Sequence, residues 1–178
     1  MTEPASPTAT AATPAPGTYL LDPEQTVVRA NTRAMFGLLK VKGTFRLASG
    51  QVIITADPAG SSATATILAG SFDSGFASRD ADVVSRVLLD AQGFPEITFL
   101  GRGARPDGAG WLLAGTVTAH GTPVAAEVRV TRAAAAGDGR VRFAATTRLD
   151  RTSFGITRKK GLVGRMVEVF IEAVAQPA

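Results

Sequence analysis

Few side chains in this 178-residue chain could perform covalent chemistry, and that scarcity is the first constraint on its function. There is no cysteine, which removes disulfides, zinc–thiolate sites and thiol nucleophiles. His120 is the sole histidine and sits in Ala119-His120-Gly121-Thr122-Pro123, a sequence that reads as a turn. A general base needs a partner that orients it. His120 has no second histidine, no thiol and no carboxylate at a fixed spacing, so it reads as an exposed turn residue. A metal ion needs three or four ligands, and no spacing here supplies them. The expectation is a protein with no catalytic residue, no metal and no cofactor, and so not an enzyme.

The other chemistry on offer is charge. Arg158-Lys159-Lys160-Gly161 with Arg165 is the one basic cluster, and it has two readings. It could meet a lipid head group or an anionic membrane surface, or it could be a solvated loop before the last strand. The formal charge is +4 and the pI about 10.1, which raises a nucleic-acid or membrane-surface module as an alternative. However, charged residues make up only 19% of the chain, 15 of them are acidic, and the signs look interspersed. Aromatics are 6% of the chain, too few for a base-stacking platform, so nucleic acid is not expected as a partner.

The elements that must position these residues read as strands. Val28, Ala30, Thr32 and Ala34 alternate with Arg29, Asn31 and Arg33, a period of two. Residues 40–47 are expected to meet residues 51–56 in a hairpin across Ala48-Ser49-Gly50. Residues 62–70 form a further run, and residues 97–101 and 111–119 flank a turn-rich segment, 103–108. Val124, Ala126, Val128 and Val130 alternate with Ala125, Glu127, Arg129 and Thr131; residues 140–145 and 167–173 complete the set. One segment, about residues 79–89, reads as a helix. Ser78 is its expected N-cap, Asp80 and Asp82 lie in its first turn, and Val83, Val84, Val87 and Leu88 make an apolar stripe. About eight strands with one short helix predict an all-β, eight-stranded antiparallel up-and-down barrel. Residues 1–16, rich in Pro, Ala and Thr, read as a disordered tail, with the domain over 17–178. They show no basic-then-apolar leader pattern, and no uninterrupted apolar run is long enough to span a bilayer, so the expected location is cytoplasmic.

Five stretches resemble the YceI-like family, the polyisoprenoid-binding, lipocalin-like proteins of bacteria. They are Tyr19-Leu20-Leu21-Asp22; Val41-Lys42-Gly43-Thr44-Phe45; Ser71-Phe72-Asp73-Ser74-Gly75 with Arg79-Asp80 and Phe94-Pro95-Glu96-Ile97-Thr98-Phe99; residues 115–124; and Asp150-Arg151-Thr152-Ser153-Phe154-Gly155-Ile156. The resemblance covers the chain from about Tyr19 to its end. It departs from the family at Gln25-Thr26, where His-Ser is frequent, and at Ala34, where a histidine is frequent; if those histidines help to fix a head group in the family, this chain must hold it otherwise or bind something different.

The resemblance implies non-catalytic binding, storage or transport of an isoprenoid or other long-chain lipid in the barrel. Small residues on the expected inner face (Ala30, Ala34, Ala126, Ala145 and Ala173) would leave the room. Candidate wall or mouth residues are Met35, Phe36, Leu38, Phe99, Trp111, Leu113, Val128, Phe143, Val169 and Ile171. Candidate head-group or surface residues are Arg158, Lys159, Lys160 and Arg165. The run Met35-Phe36-Gly37-Leu38-Leu39 reads equally as a flap or membrane portal and as end-plugging core. Phe72, Phe76 and Phe94 read as helix-to-barrel packing, a role Phe99 could share; Arg79-Asp80 reads as pinning the helix, and Arg151 with Phe154 and Gly155 as closing the barrel end. Peripheral membrane contact and a homodimer are compatible with the family type. A lipid-transforming enzyme or isomerase-like barrel is the other alternative, and it would need titratable groups deep in the cavity.

Overall fold

The computed structural model describes residues 14–178. The alternating segments form β1 (Gly17–Leu21), β2 (Val27–Ala34), β3 (Leu39–Phe45), β4 (Leu47–Ile54), β5 (Ser62–Leu68), β6 (Glu96–Asp107), β7 (Gly110–Ala119), β8 (Thr122–Ala135), β9 (Val141–Asp150) and β10 (Met166–Pro177). One helix, α1 (Ala77–Val84), lies between β5 and β6.

All neighbours are antiparallel, in the order β1-β4-β5-β6-β7-β8-β9-β10, and β10 returns to β1 through Tyr19↔Pro177 and Leu21↔Ala175. The seam continues where β2 pairs with β10 (Val28↔Ile171) and with β3 (Val28↔Phe45). β1 and β2 are thus one strand interrupted at residues 22–26, and β3 and β4 one strand interrupted at Arg46. With β5 to β10 they make a closed eight-stranded barrel of lipocalin-like type. At the first interruption the Asp22 carboxylate accepts from the Glu24 N–H at 2.9 Å and from Gln25 Nε2 at 2.7 Å. Led by the Glu24 N–H, these bonds hold the Asp22 carboxyl below its ordinary value.

The barrel has two distinct ends. One, the mouth, gathers the β2–β3 tip (residues 35–38), α1 with its flanks, and the loop 151–165 between β9 and β10. There Leu88, Val117, Ala119, Phe154 and Ile156 form a buried cluster. At the far end Tyr19, Val141 and Ala175 form a second cluster, backed by Leu21, Ile54 and Phe143.

Several expectations are corrected. The hairpin across Ala48-Ser49-Gly50 does not exist: Gly50 lies within β4, paired to Ala65 of β5, and the true turn is residues 35–38. There Met35 and Phe36 adopt φ of 49° and 56°, conformations that sequence gives no reason to assign to such side chains. Residues 103–107 belong to β6, which absorbs Arg102 and Gly103 as a bulge and turns only at Gly108. The helix begins two residues before the expected 79, because the Phe76 carbonyl accepts the Asp80 N–H at 3.0 Å. Ser78 is therefore inside the first turn and does not cap. The helix also stops at Val84 rather than 89. Ser85 is extended, and the Leu89 and Ala91 N–H groups fold back onto the Val83 and Val84 carbonyls, burying Leu88. Of the tail expected over residues 1–16, residues 1–13 lie outside the described residues. Pro14 is buried, and the Ala15 carbonyl accepts the Tyr19 hydroxyl at 2.8 Å, so residues 14 and 15 pack with the barrel.

Candidate ligand cavity

The inward residues of the eight strands do not fill the barrel. They enclose a cavity of about 1230 Å³ that runs from Pro14, Pro58 and Trp111 at the far end to Met35, Phe76 and Lys159 at the mouth. Side-chain size explains the space. Ala30, Ala63, Ala65, Ala104, Ala145 and Ala173 all face it, and larger residues such as Val128, Phe143, Val169 and Ile171 stand between them. Ala126, expected among the small wall residues, instead packs against the buried cluster at the mouth. Eight strands give a lumen that side chains either fill or leave to a ligand. Alanine at this many inward positions leaves the lumen unfilled.

Two aromatic rings shape the wall, and each depends on a missing side chain opposite. A Cβ on Gly43 would stand 2.2 Å from the Phe72 ring, so glycine lets Phe72 enter the barrel from the loop before α1. Phe72 also packs on Phe45, with ring centroids 5.2 Å apart. Gly101 and Gly115 face each other across β6 and β7, and a Cβ on either would collide with the Phe99 ring.

Among the described residues, charge reaches the wall at one end only: Arg79, Asp82, Arg151 and Lys159, all at the mouth. Asp82 of α1 is ion-paired and hydrogen-bonded to Lys159 of the 151–165 loop, bridging the opening. Arg79 lies over the Phe76 ring, 4.8 Å from its centroid. The Asp80 carboxylate accepts from the Ser74 N–H at 2.9 Å and the Ser74 hydroxyl at 2.6 Å, which pins the chain entering the helix.

Arg151 is buried, and its guanidinium donates to four carbonyls of one loop: Gly164 at 2.9 Å, Ile156 at 2.7 Å, Arg158 at 2.9 Å and Val163 at 3.0 Å. Burial pulls its pKa below the ordinary arginine value, with the neighbouring Asp150 charge opposing. Arg151 therefore folds the mouth loop around itself. Asn31, which alternation assigns to the outer face, also borders the cavity, and its Oδ1 is buried without a partner among the described residues.

Of the apolar candidates, Met35, Phe99, Trp111, Leu113, Val128, Phe143, Val169 and Ile171 line the cavity. Phe36 and Leu38 do not: they are 83% and 88% exposed on the β2–β3 tip. Of the cations, Lys159 lines the cavity, Arg158 and Lys160 face solvent, and Arg165 pairs with Asp150 at 2.7 Å. Sequence reasoning did not place Phe72, Arg79, Asp82 or Asn31 on the wall. The first three come from the β5–β6 connection, which carries no period-two pattern to read. His120, expected to be exposed, is partly buried against Phe94, with ring centroids 4.8 Å apart.

A family model described as the YceI-like domain matches residues 19–175. Among solved structures, BcnA of Burkholderia cenocepacia is similar at 24% identity and a TM-score of 0.74, covering 88% of this chain and 99% of that one. A polyisoprenoid binding domain from Saccharophagus degradans implicated in plant cell wall breakdown is similar at 13% identity and a TM-score of 0.63, covering 92% and 100%. The Campylobacter jejuni YCEI protein follows at 21% identity and a TM-score of 0.60, covering 79% and 87%. At these identities the structural likeness speaks for the fold alone. No curated protein matches the sequence.

Proposed function

The chain belongs to the YceI-like family, and on that premise we propose that it binds a long apolar ligand of isoprenoid type in its barrel and stores or carries it without catalysis. The observation that carries this reading is the apolar cavity of about 1230 Å³. Ligand sites are commonly about 300–1,000 Å³, so this space suits an extended chain better than a compact metabolite. Burying each CH₂ is worth about 0.8 kcal/mol, so ten carbons yield roughly 8 kcal/mol and twenty roughly 16. Association costs on the order of 4–15 kcal/mol, which favours the longer chain. The polyisoprenoid binding domain among the similar structures supports the isoprenoid class for this barrel shape. The ligand tail runs toward Trp111 and Phe143, and its polar head stays near Arg79, Asp82 and Lys159.

The charge placement also weighs against the enzyme reading. A lipid-transforming barrel needs a titratable group where the chain lies. Here Asp82 is paired to Lys159, the Arg151 guanidinium is committed to four carbonyls, and both sit at the mouth. Organic extraction of protein purified from its native host, followed by mass spectrometry, tests the proposal. The expected result is a near-stoichiometric long-chain lipid. Protein that comes without lipid and fails to take up a fluorescent long-chain probe overturns it.

A further inference from the structure

The five most exposed large apolar residues described gather at one end of the barrel, whereas the less exposed Leu20, Ile53, Leu100 and Phe170 lie on its outer wall. Met35, Phe76 and Leu162 line the cavity and are also 56%, 61% and 52% exposed, which places them on the rim of its mouth. Beyond them project Phe36 and Leu38, the two most exposed large apolar residues described. The β2–β3 tip is held out by backbone hydrogen bonds to the 151–165 loop. Met35 N–H donates to Leu162 O at 3.1 Å, Phe36 N–H to Gly161 O at 2.7 Å and Gly164 N–H to Arg33 O at 2.5 Å.

Charge gathers at the same place. Segments 33–42 and 157–165 hold seven of the chain's 19 Lys and Arg and none of its 15 acids; since the whole chain is +4, everything else is net −3. Arg33, Lys40, Arg158 and Lys160 are exposed and form no ion pair among the described residues. The tip and the loop are therefore a basic patch assembled by the fold, because the two segments lie more than a hundred residues apart and meet at the mouth, where α1 and its flanks also bring Asp73, Asp80, Asp82 and Asp90.

We propose that the mouth end is a docking surface for an anionic phospholipid bilayer, with Phe36 and Leu38 entering the interface and Arg33, Lys40, Arg158 and Lys160 meeting lipid phosphates. An apolar projection ringed by cations matches the apolar–anionic layering of such a membrane. A bilayer is favoured over a second copy of the chain because two such faces would bring like charges together. Docking in this pose sets the cavity opening against the bilayer, so a lipid tail can pass between them without crossing water. That last step rests on the cavity reading; docking itself does not.

Flotation of the full chain with vesicles of equal parts phosphatidylglycerol and phosphatidylcholine tests the proposal, with phosphatidylcholine alone as the reference. Wild type should float with the anionic vesicles and bind at least about tenfold more weakly when salt rises from about 50 to about 500 mM. The pair Phe36→Ser/Leu38→Ser and the triple Lys40→Glu/Arg158→Glu/Lys160→Glu should each lose roughly tenfold or more. Both sets change exposed side chains, and an unchanged melting temperature with unchanged uptake of a soluble long-chain probe shows that barrel and cavity are intact. Wild type that stays unbound, variants that float like wild type, or a solution dimer abolished by Phe36→Ser/Leu38→Ser would each overturn the proposal. A failure of probe uptake with flotation intact counts instead against the cavity reading.

Discussion

The two ends of the barrel are held by different forces. At the far end Tyr19, Val141 and Ala175 pack where β1 meets β10, with Val141 and Ala175 almost wholly removed from solvent. At the mouth a similar apolar cluster exists, but the loop over the opening is shaped by polar bonds: Arg151 to four carbonyls, Asp82 to Lys159, and backbone pairs to the β2–β3 tip. Apolar contact is non-directional and holds the far end without any ionic bond in that cluster. Directed polar bonds fix one geometry yet can be exchanged for others, which suits the end through which the proposed ligand would pass.

Replacing the cation that organises the mouth should give the largest effect. Arg151→Leu strands four carbonyls, and a loss of about 4 kcal/mol is expected, seen as a lower melting temperature. Hydrogen exchange should rise in residues 155–165 well before it rises around Tyr19 and Val174; equal acceleration at both ends would erase the contrast. At the far end, Val141→Ala should cost roughly 2 kcal/mol by leaving a void, with the mouth loop's exchange protection unchanged. Filling the passage between the ends, Ala145→Phe should weaken binding of a long-chain probe about tenfold, or about 1.4 kcal/mol, with little change in melting temperature.

The smallest effect concerns pH and belongs to the mouth. The Asp150 carboxyl is held below its ordinary value of 3.8, chiefly by the Thr152 hydroxyl, which donates at 2.6 Å, and further by Arg165. A carboxylate with a depressed folded-state pKa stabilises the fold above its unfolded value, and that contribution disappears as pH falls through the folded value. Melting curves from neutral pH downward should show the loss below about pH 4, and Asp150→Asn should flatten it. An unchanged profile in that variant would show that this corner contributes nothing.

Much of the wall was readable because strands impose alternation. Val128, Val169 and Ile171 face inward as their spacing requires, and the five family-like stretches correctly indicated the closed barrel. What escaped reading was local. Gly50 looks like a turn residue, but it lies inside β4, where a Cβ would stand 2.5 Å from Leu21 Cδ1. The helix boundaries were set by backbone bonds from Asp80, Leu89 and Ala91 rather than by the capping chemistry of Ser78. Phe72 and Asp82 reach the cavity from a connection whose path follows tertiary packing. The concentration of positive charge was invisible for a related reason, since only the fold brings residues 33–36 beside residues 161–164.

The stitching between the β2–β3 tip and the 151–165 loop uses main-chain N–H and C=O groups throughout. Such bonds involve no side chain, though they require Gly161 and Gly164 to stay bare, because a Cβ there would stand 2.6 Å from the Phe36 ring and 2.5 Å from the Arg33 carbonyl. Positions 36 and 38, which do not line the cavity, can therefore drift over evolutionary time while the scaffold beneath them persists. Related barrels could hold one architecture and acquire new cellular addresses by rewriting a handful of outward-facing letters.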